Sequence, residues 1–184
     1  MKKMNRLFHT GLLLIILAVL AGLIWWLTST QEAAVSERYA RTLDKKTVEK
    51  IHIINKNMAG ESQEIVLALQ NGKWMMLSPE SSEASPEAVS QILGVFEKFT
   101  AENAFKTKNL SEYGLDKPQL TVKLFRKKAS PLEFQLGAAT PVNNNFYARF
   151  TDTPEVFVFQ GYQRYNLDMV PERLKKPQQT ASPK

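Results

Sequence analysis

Two histidines, His9 and His52, and no cysteine occur in 184 residues, so a nucleophile-and-base pair has little to be built from. A hydrolytic triad needs an imidazole to take the proton of a Ser, Thr or Cys. His9 lies inside an apolar run and His52 stands between Ile51 and Ile53, which leaves one candidate base outside that run. No Gly-x-Ser-x-Gly elbow, His-Glu-x-x-His pair or phosphate-cradling glycine loop is present. Glu80, Glu83 and Glu87 are grouped, and carboxylates brought together can do acid–base work. Beside Ser81-Ser82 and Ser85-Pro86 they read instead as a solvated loop and a helix start that the helix dipole favours. The expectation is a protein that is not an enzyme, with no catalytic residue, no cofactor and no metal ligand.

The run Leu7 to Leu27 has 21 residues without a charge. As a helix it would rise roughly 30 Å, the depth of a bilayer's hydrocarbon core. Lys2, Lys3 and Arg6 precede it and Glu32 follows it, which places residues 1–6 in the cytoplasm and the remainder across the membrane. Leu7, Leu12, Ile16, Leu20 and Ile24 would face lipid, and Trp25 and Trp26 suit the headgroup layer. A cleaved signal has a shorter apolar region and a small-x-small exit. Thr28-Ser29-Thr30-Gln31 offers none, so an uncleaved anchor is expected. Without cysteine, neither a lipoprotein modification nor a disulfide is available. His9 can be read as a proton-relay group or, near the cytoplasmic end and without an acidic partner in the span, as an interfacial side chain. Ala18 and Gly22 make a small-xxx-small spacing suited to helix contact, with lipid-facing filler as the alternative.

Beyond the span, residues 28–47 read as a stalk, helical over Gln31 to Leu43 because Val35, Tyr39 and Leu43 recur every fourth position. A domain over 48–174 and a polar tail over 175–184 follow. The domain shows strand alternation at Ile51 and Ile53, at Ile65, Leu67 and Leu69, and at Trp74 and Met76, with Asn71-Gly72 suited to a type I′ hairpin. Ser85 can cap and Pro86 can open a helix carrying Val89, Ile92, Leu93, Phe96 and Phe99 to about Thr100. Alternation resumes at Leu120, Val122 and Leu124, at Leu132, Phe134 and Leu136, at Phe146, Ala148 and Phe150, and at Val156 and Val158. Short connections favour antiparallel pairing, so the fold class expected is α+β: a transmembrane helix and stalk, then an antiparallel sheet with a few helices packed on it. With Lys2, Lys3 and Arg6 set aside, 21 basic residues face 18 acidic ones, too even a balance for a nucleic-acid binder. Lys123, Arg126, Lys127 and Lys128 cluster at a hairpin tip, as a solvated turn or a contact with headgroups or a partner.

Three stretches taken together, Asn71-Gly72-Lys73-Trp74, Tyr113-Gly114-Leu115-Asp116-Lys117-Pro118, and Phe146-Tyr147-Ala148-Arg149 after Leu136-Gly137, carry a family likeness. The chain resembles the bacterial envelope domain-of-unknown-function family 4340, related to domains that accompany gliding-type ABC transporter auxiliary proteins. The resemblance implies a membrane-anchored, exported protein and supplies no catalytic residues. Each stretch also has a local explanation: Gly114 can end a short turn in a left-handed conformation, and Pro118 keeps helix from resuming before Leu120. Tyr147 and Arg149 share the strand face opposite Phe146, Ala148 and Phe150, as a partner surface or an ordinary solvated face.

The leading expectation for function is a non-catalytic accessory or structural subunit of an envelope membrane complex, possible partners including an ABC transport system, with the domain periplasmic and the helix in the inner membrane. The alternative is a free-standing anchored module for a glycan or lipid. Its mouth would be the loop Gly137 to Asn145, where Asn143, Asn144 and Asn145 present amides.

Overall fold

The structure is a computed structural model and describes residues 15–25, 37–56 and 61–176, in two compact units divided between Ala34 and Val35. In the first unit, residues 15–25 form helix α1 with every side chain exposed. Eleven residues rise roughly 16 Å, about half of a bilayer core. Among the described residues no helix is long and apolar enough to cross a membrane. Ile16, Ala18, Leu20, Gly22, Ile24 and Trp25 lie on α1, whereas Leu7, His9, Leu12 and Trp26 lie outside the described residues.

The second unit is a mixed α+β domain built on a ten-stranded antiparallel sheet. Its strands are β1 (Glu37–Thr42), β2 (Val48–Lys56), β3 (Ser62–Gln70), β4 (Lys73–Ser78), β5 (Ser82–Glu83), β6 (Lys98–Lys106), β7 (Leu120–Arg126), β8 (Ala129–Ala139), β9 (Phe146–Phe150) and β10 (Glu155–Phe159), in the order β1-β6-β10-β9-β8-β7-β2-β3-β4-β5. Two meanders, β2-β3-β4 and β7-β8-β9-β10, meet where β2 pairs antiparallel with β7. Asn71 and Gly72 both take positive φ, 51° and 80°, and close β3 onto β4 as the alternation predicts.

Helix α2 (Pro86–Glu97) starts as expected: Ser85 Oγ accepts from the Ala88 N–H and Pro86 takes the first turn. Its buried stripe of Ala88, Val89, Ile92, Leu93 and Phe96 lies on one face of the sheet. There Phe96, Phe99, Phe134, Phe150, Phe157 and Phe159 form one aromatic cluster, with ring centroids 5.1 Å apart for Phe99 and Phe150 and 5.5 Å for Phe96 and Phe134. Each such pair adds about 1 kcal/mol beyond its buried area.

The structure corrects four expectations. Residues 37–42 are not a helical stalk but edge strand β1, paired with β6; the sheet therefore begins before Val48. Tyr39, Arg41 and Leu43 alternate inward, and Tyr39 stacks on Phe157 at 4.9 Å, so ladder pairing and aromatic burial override a weak helix preference. Helix α2 ends at Glu97, and Phe99 and Thr100 belong to β6. In β10 the core-facing pair is Phe157 and Phe159, while Val156 and Val158 share the opposite face with their register partners Arg149 and Tyr147. Finally, Lys175 and Lys176 are not free tail. Lys175 bridges Ala84, its Nζ lies 2.5 Å from Glu80 Oε1, and Lys176 Nζ lies 3.0 Å from Glu83 Oε1. Residues 177–184 of the expected tail lie outside the described residues.

Candidate functional site

Two places on the domain gather candidate side chains. The first is a cleft between the β8–β9 loop and the short helix α3 (Gly161–Arg164). The loop is shaped from within: Thr140 N donates to Asn145 O at 2.8 Å and Thr140 Oγ1 to Val142 O at 2.7 Å, while Asn143 and Asn144 turn through positive φ of 64° and 53°. Asparagine tolerates that region better than most residues. The loop is then tied to α3, because Gly161 N donates to Asn145 Oδ1 at 3.1 Å and a Cβ at position 161 would collide with the Asn144 carbonyl oxygen. Only glycine allows that approach.

Across from the asparagines stand Tyr162 and Tyr165, 72% and 67% exposed. The Arg164 guanidinium lies 4.4 Å from the Phe146 ring centre, and its Nη1 donates to Gln119 Oε1 at 3.2 Å. Arg173 lies 4.2 Å over Tyr165. The Asp168 carboxylate accepts from the Asn55 amide. The cleft encloses about 530 Å³, within the roughly 300–1,000 Å³ of small-ligand sites. Sequence reasoning located Asn143, Asn144 and Asn145; it missed Tyr162, Tyr165 and Asp168, whose approach depends on the Gly161 contact.

The second place is the sheet face opposite α2. On its C-terminal half the 3-10 turn η2 (Leu110–Tyr113) lies over β8. Gly114 ends that turn at φ 66°, and a Cβ there would come 2.8 Å from Ala138 N; a Cβ on Gly137 would collide with the Tyr113 carbonyl oxygen. The Tyr113-Gly114-Leu115 and Leu136-Gly137 stretches thus fit one against the other, which explains glycine at both positions. Leu115 is only 2% exposed. Tyr113 lies between Phe105 at 5.1 Å and Tyr147 at 4.8 Å, and burial, with Glu112 and Tyr147 nearby, pushes its phenol pKa up. Tyr147 and Arg149, expected on an open surface, are half-buried, and Arg149 Nε donates to Gln135 Oε1 at 2.9 Å.

The N-terminal half of the same face carries Ile54, Val66, Ala68 and Met75 between β2 and β4, with Phe125 beside them on β7, each half-buried, and Leu77 exposed. Lys50 Nζ sits 5.1 Å over Phe125, and His52 Nε2 is 2.6 Å from Glu64 Oε1 without the alignment of a hydrogen bond. The basic cluster is largely spent internally: Lys123 meets Glu133 at 2.8 Å, Lys127 meets Glu49 at 3.4 Å, and Arg126 donates to the Ser130 carbonyl. The grouped glutamates are engaged locally: Glu80 with Lys175, Glu83 with Lys176 and Glu87 with the Ser85 hydroxyl. The Lys176 ammonium, with Lys73 behind it, lowers the Glu83 pKa, and the Ser85 hydroxyl lowers that of Glu87. Among the described residues no group of three or more His, Asp or Glu is placed to hold a metal ion.

Comparison with curated proteins and with solved structures returns no match. A family model described as a domain of unknown function, DUF4340, matches residues 74–178, from Trp74 on β4 through the cleft and beyond α4 (Pro171–Leu174). The chain belongs to the DUF4340 family.

Proposed function

We propose that the chain is a non-catalytic, membrane-anchored accessory subunit of a bacterial envelope complex, of the kind that accompanies gliding-type ABC transporters, with its domain on the periplasmic side of the inner membrane. The observation that carries this reading is the uneven cover of the sheet's outer face. Around Gly137 and Tyr147 the face is covered by the chain's own Tyr113-Gly114-Leu115 turn, whereas Ile54, Val66, Ala68, Met75 and Leu77 have no covering element among the described residues. Apolar side chains grouped on a surface mark a contact surface. The uncharged run Leu7 to Leu27 supports the anchor, as does α1, on which each apolar side chain at 15–25 is exposed.

Co-purification after gentle detergent extraction tests the reading. Partner proteins should accompany the full chain and be lost with V66K/M75K, while Arg149→Glu, on β9 beyond β7 and β8, should weaken the association only if the contact extends that far across the sheet. A chain that purifies alone would overturn it. The cleft favours a second role compatible with the first: recognition of an envelope glycan or lipid at Asn143, Asn144 and Asn145.

A further inference from the structure

The cleft holds two exposed aromatic rings, Tyr162 and Tyr165, in one lining with three asparagines. A tyrosine ring offers a flat apolar face with a polar tip. The side-chain amides of Asn143 and Asn144 have no partner among the described residues, so each keeps two donors and an acceptor for a ligand. The two charged side chains that line the cleft are of opposite sign and each is already oriented by a neutral neighbour, Arg164 by Phe146 and Gln119 and Asp168 by Asn55. The lining therefore carries no net charge, and it offers flat apolar surface beside neutral amides. A sugar ring offers the matching pair: a C–H face that stacks on an aromatic ring and an edge of hydroxyls that both donate and accept. A lipid chain asks for a closed apolar channel, whereas this cleft opens to solvent and three of its lining residues are asparagines.

We propose that the cleft binds a neutral, hydroxyl-rich carbohydrate chain, with sugar faces on Tyr162 and the free side of Tyr165 and hydroxyls bonded to Asn143 and Asn144. This rests on the second role above and commits it to one ligand class. Arg173 covers one face of Tyr165, so Tyr162 is the principal platform.

The full chain, held in micelles of a zwitterionic detergent without a sugar headgroup, is titrated calorimetrically with an N-acetylglucosamine tetramer and with maltohexaose. At least one probe should bind saturably. Tyr162→Ala should weaken it about tenfold or more, a loss of roughly 1.4 kcal/mol. N143G/N144G should weaken it to a similar degree, because glycine keeps the left-handed backbone and removes only the amides. Both variants are at exposed positions, so folding is preserved and is checked by circular dichroism. Failure of both probes to bind, or binding that neither variant changes, overturns the proposal. Saturable binding of anionic lipid vesicles or of a sulfated polysaccharide that N143G/N144G abolishes would keep the cleft as a binding site and overturn the ligand class. Loss of partner co-purification in V66K/M75K with sugar binding intact bears on the accessory role alone.

Discussion

The outer face of the sheet is two half-faces made by the same means and finished differently. Both meanders alternate cleanly and send one set of side chains to the common core: Ile51, Ile53, Ile65 and Leu67 from one, Val122, Phe134, Leu136 and Phe150 from the other. Over β8 the chain lays its own turn, and the fit is close enough that Gly114 and Gly137 admit no side chain. Over β3 and β4 it lays nothing among the described residues, although Val66, Ala68 and Met75 are no more polar than their counterparts. An antiparallel sheet can face water on one side. Here the fold covers that side around Gly137 and Tyr147 and leaves it apolar over β3 and β4, and the difference marks where an outside surface would add most.

That contrast can be broken first on the covered half. Leu115→Ala removes a buried anchor of the turn and should cost about 3 kcal/mol in urea unfolding. Gly137→Ala should cost about 2 kcal/mol, because its Cβ meets the backbone of Tyr113 rather than a yielding side chain. If either change is neutral, the turn is not a structural roof.

A smaller effect is expected at the sheet's edge. Arg41 and Asp152 form a two-bonded ion pair that ties β1 to the β9–β10 turn, with Arg41 4.7 Å from the Phe150 ring centre. The Arg41 hydrogen bond lowers the Asp152 pKa despite partial burial. A lowered folded-state pKa means stabilisation that is complete above the unfolded value, about 3.9, and is lost as pH falls through the folded one. Asp152→Asn should therefore cost about 1 kcal/mol or less at neutral pH, and the gap between variant and wild-type melting curves should close in acid. A gap that persists at low pH would refute the ion pair as its source. Smallest of all, Val66→Thr on the bare half should change stability by less than about 0.5 kcal/mol. A large loss there would mean that this half is already part of the packed core.

Much of the domain was legible in the residues because period two is hard to disguise: β2, β3, β7, β8 and β9 fall where their alternation places them, and Asn71-Gly72 and Ser85-Pro86 fix the hairpin and the start of α2. Strand β6 was hidden by its own irregularity. Asn103 sits at φ 55°, and the ladder to β10 shifts between Val156 and Val158, so Phe99, Ala101 and Ala104 do not keep one parity. Strand β1 was hidden because Val35, Tyr39 and Leu43 suit a helical face as well as Tyr39, Arg41 and Leu43 suit a strand. In the cleft, three consecutive asparagines announce a loop, but nothing in the spacing of Tyr162, Tyr165 and Asp168 announces that α3 will meet it. That meeting depends on one missing Cβ, at Gly161.

The most direct test of the proposed contact face on β3 and β4 is hydrogen exchange on the full chain, extracted gently and compared with the same chain stripped of co-purifying proteins. Partner removal should raise exchange in β3 and β4, around Val66 to Leu77, and leave the Leu110 to Leu115 turn unchanged. Equal protection of β3 and β4 in both preparations, or a change confined to the turn, would contradict the account.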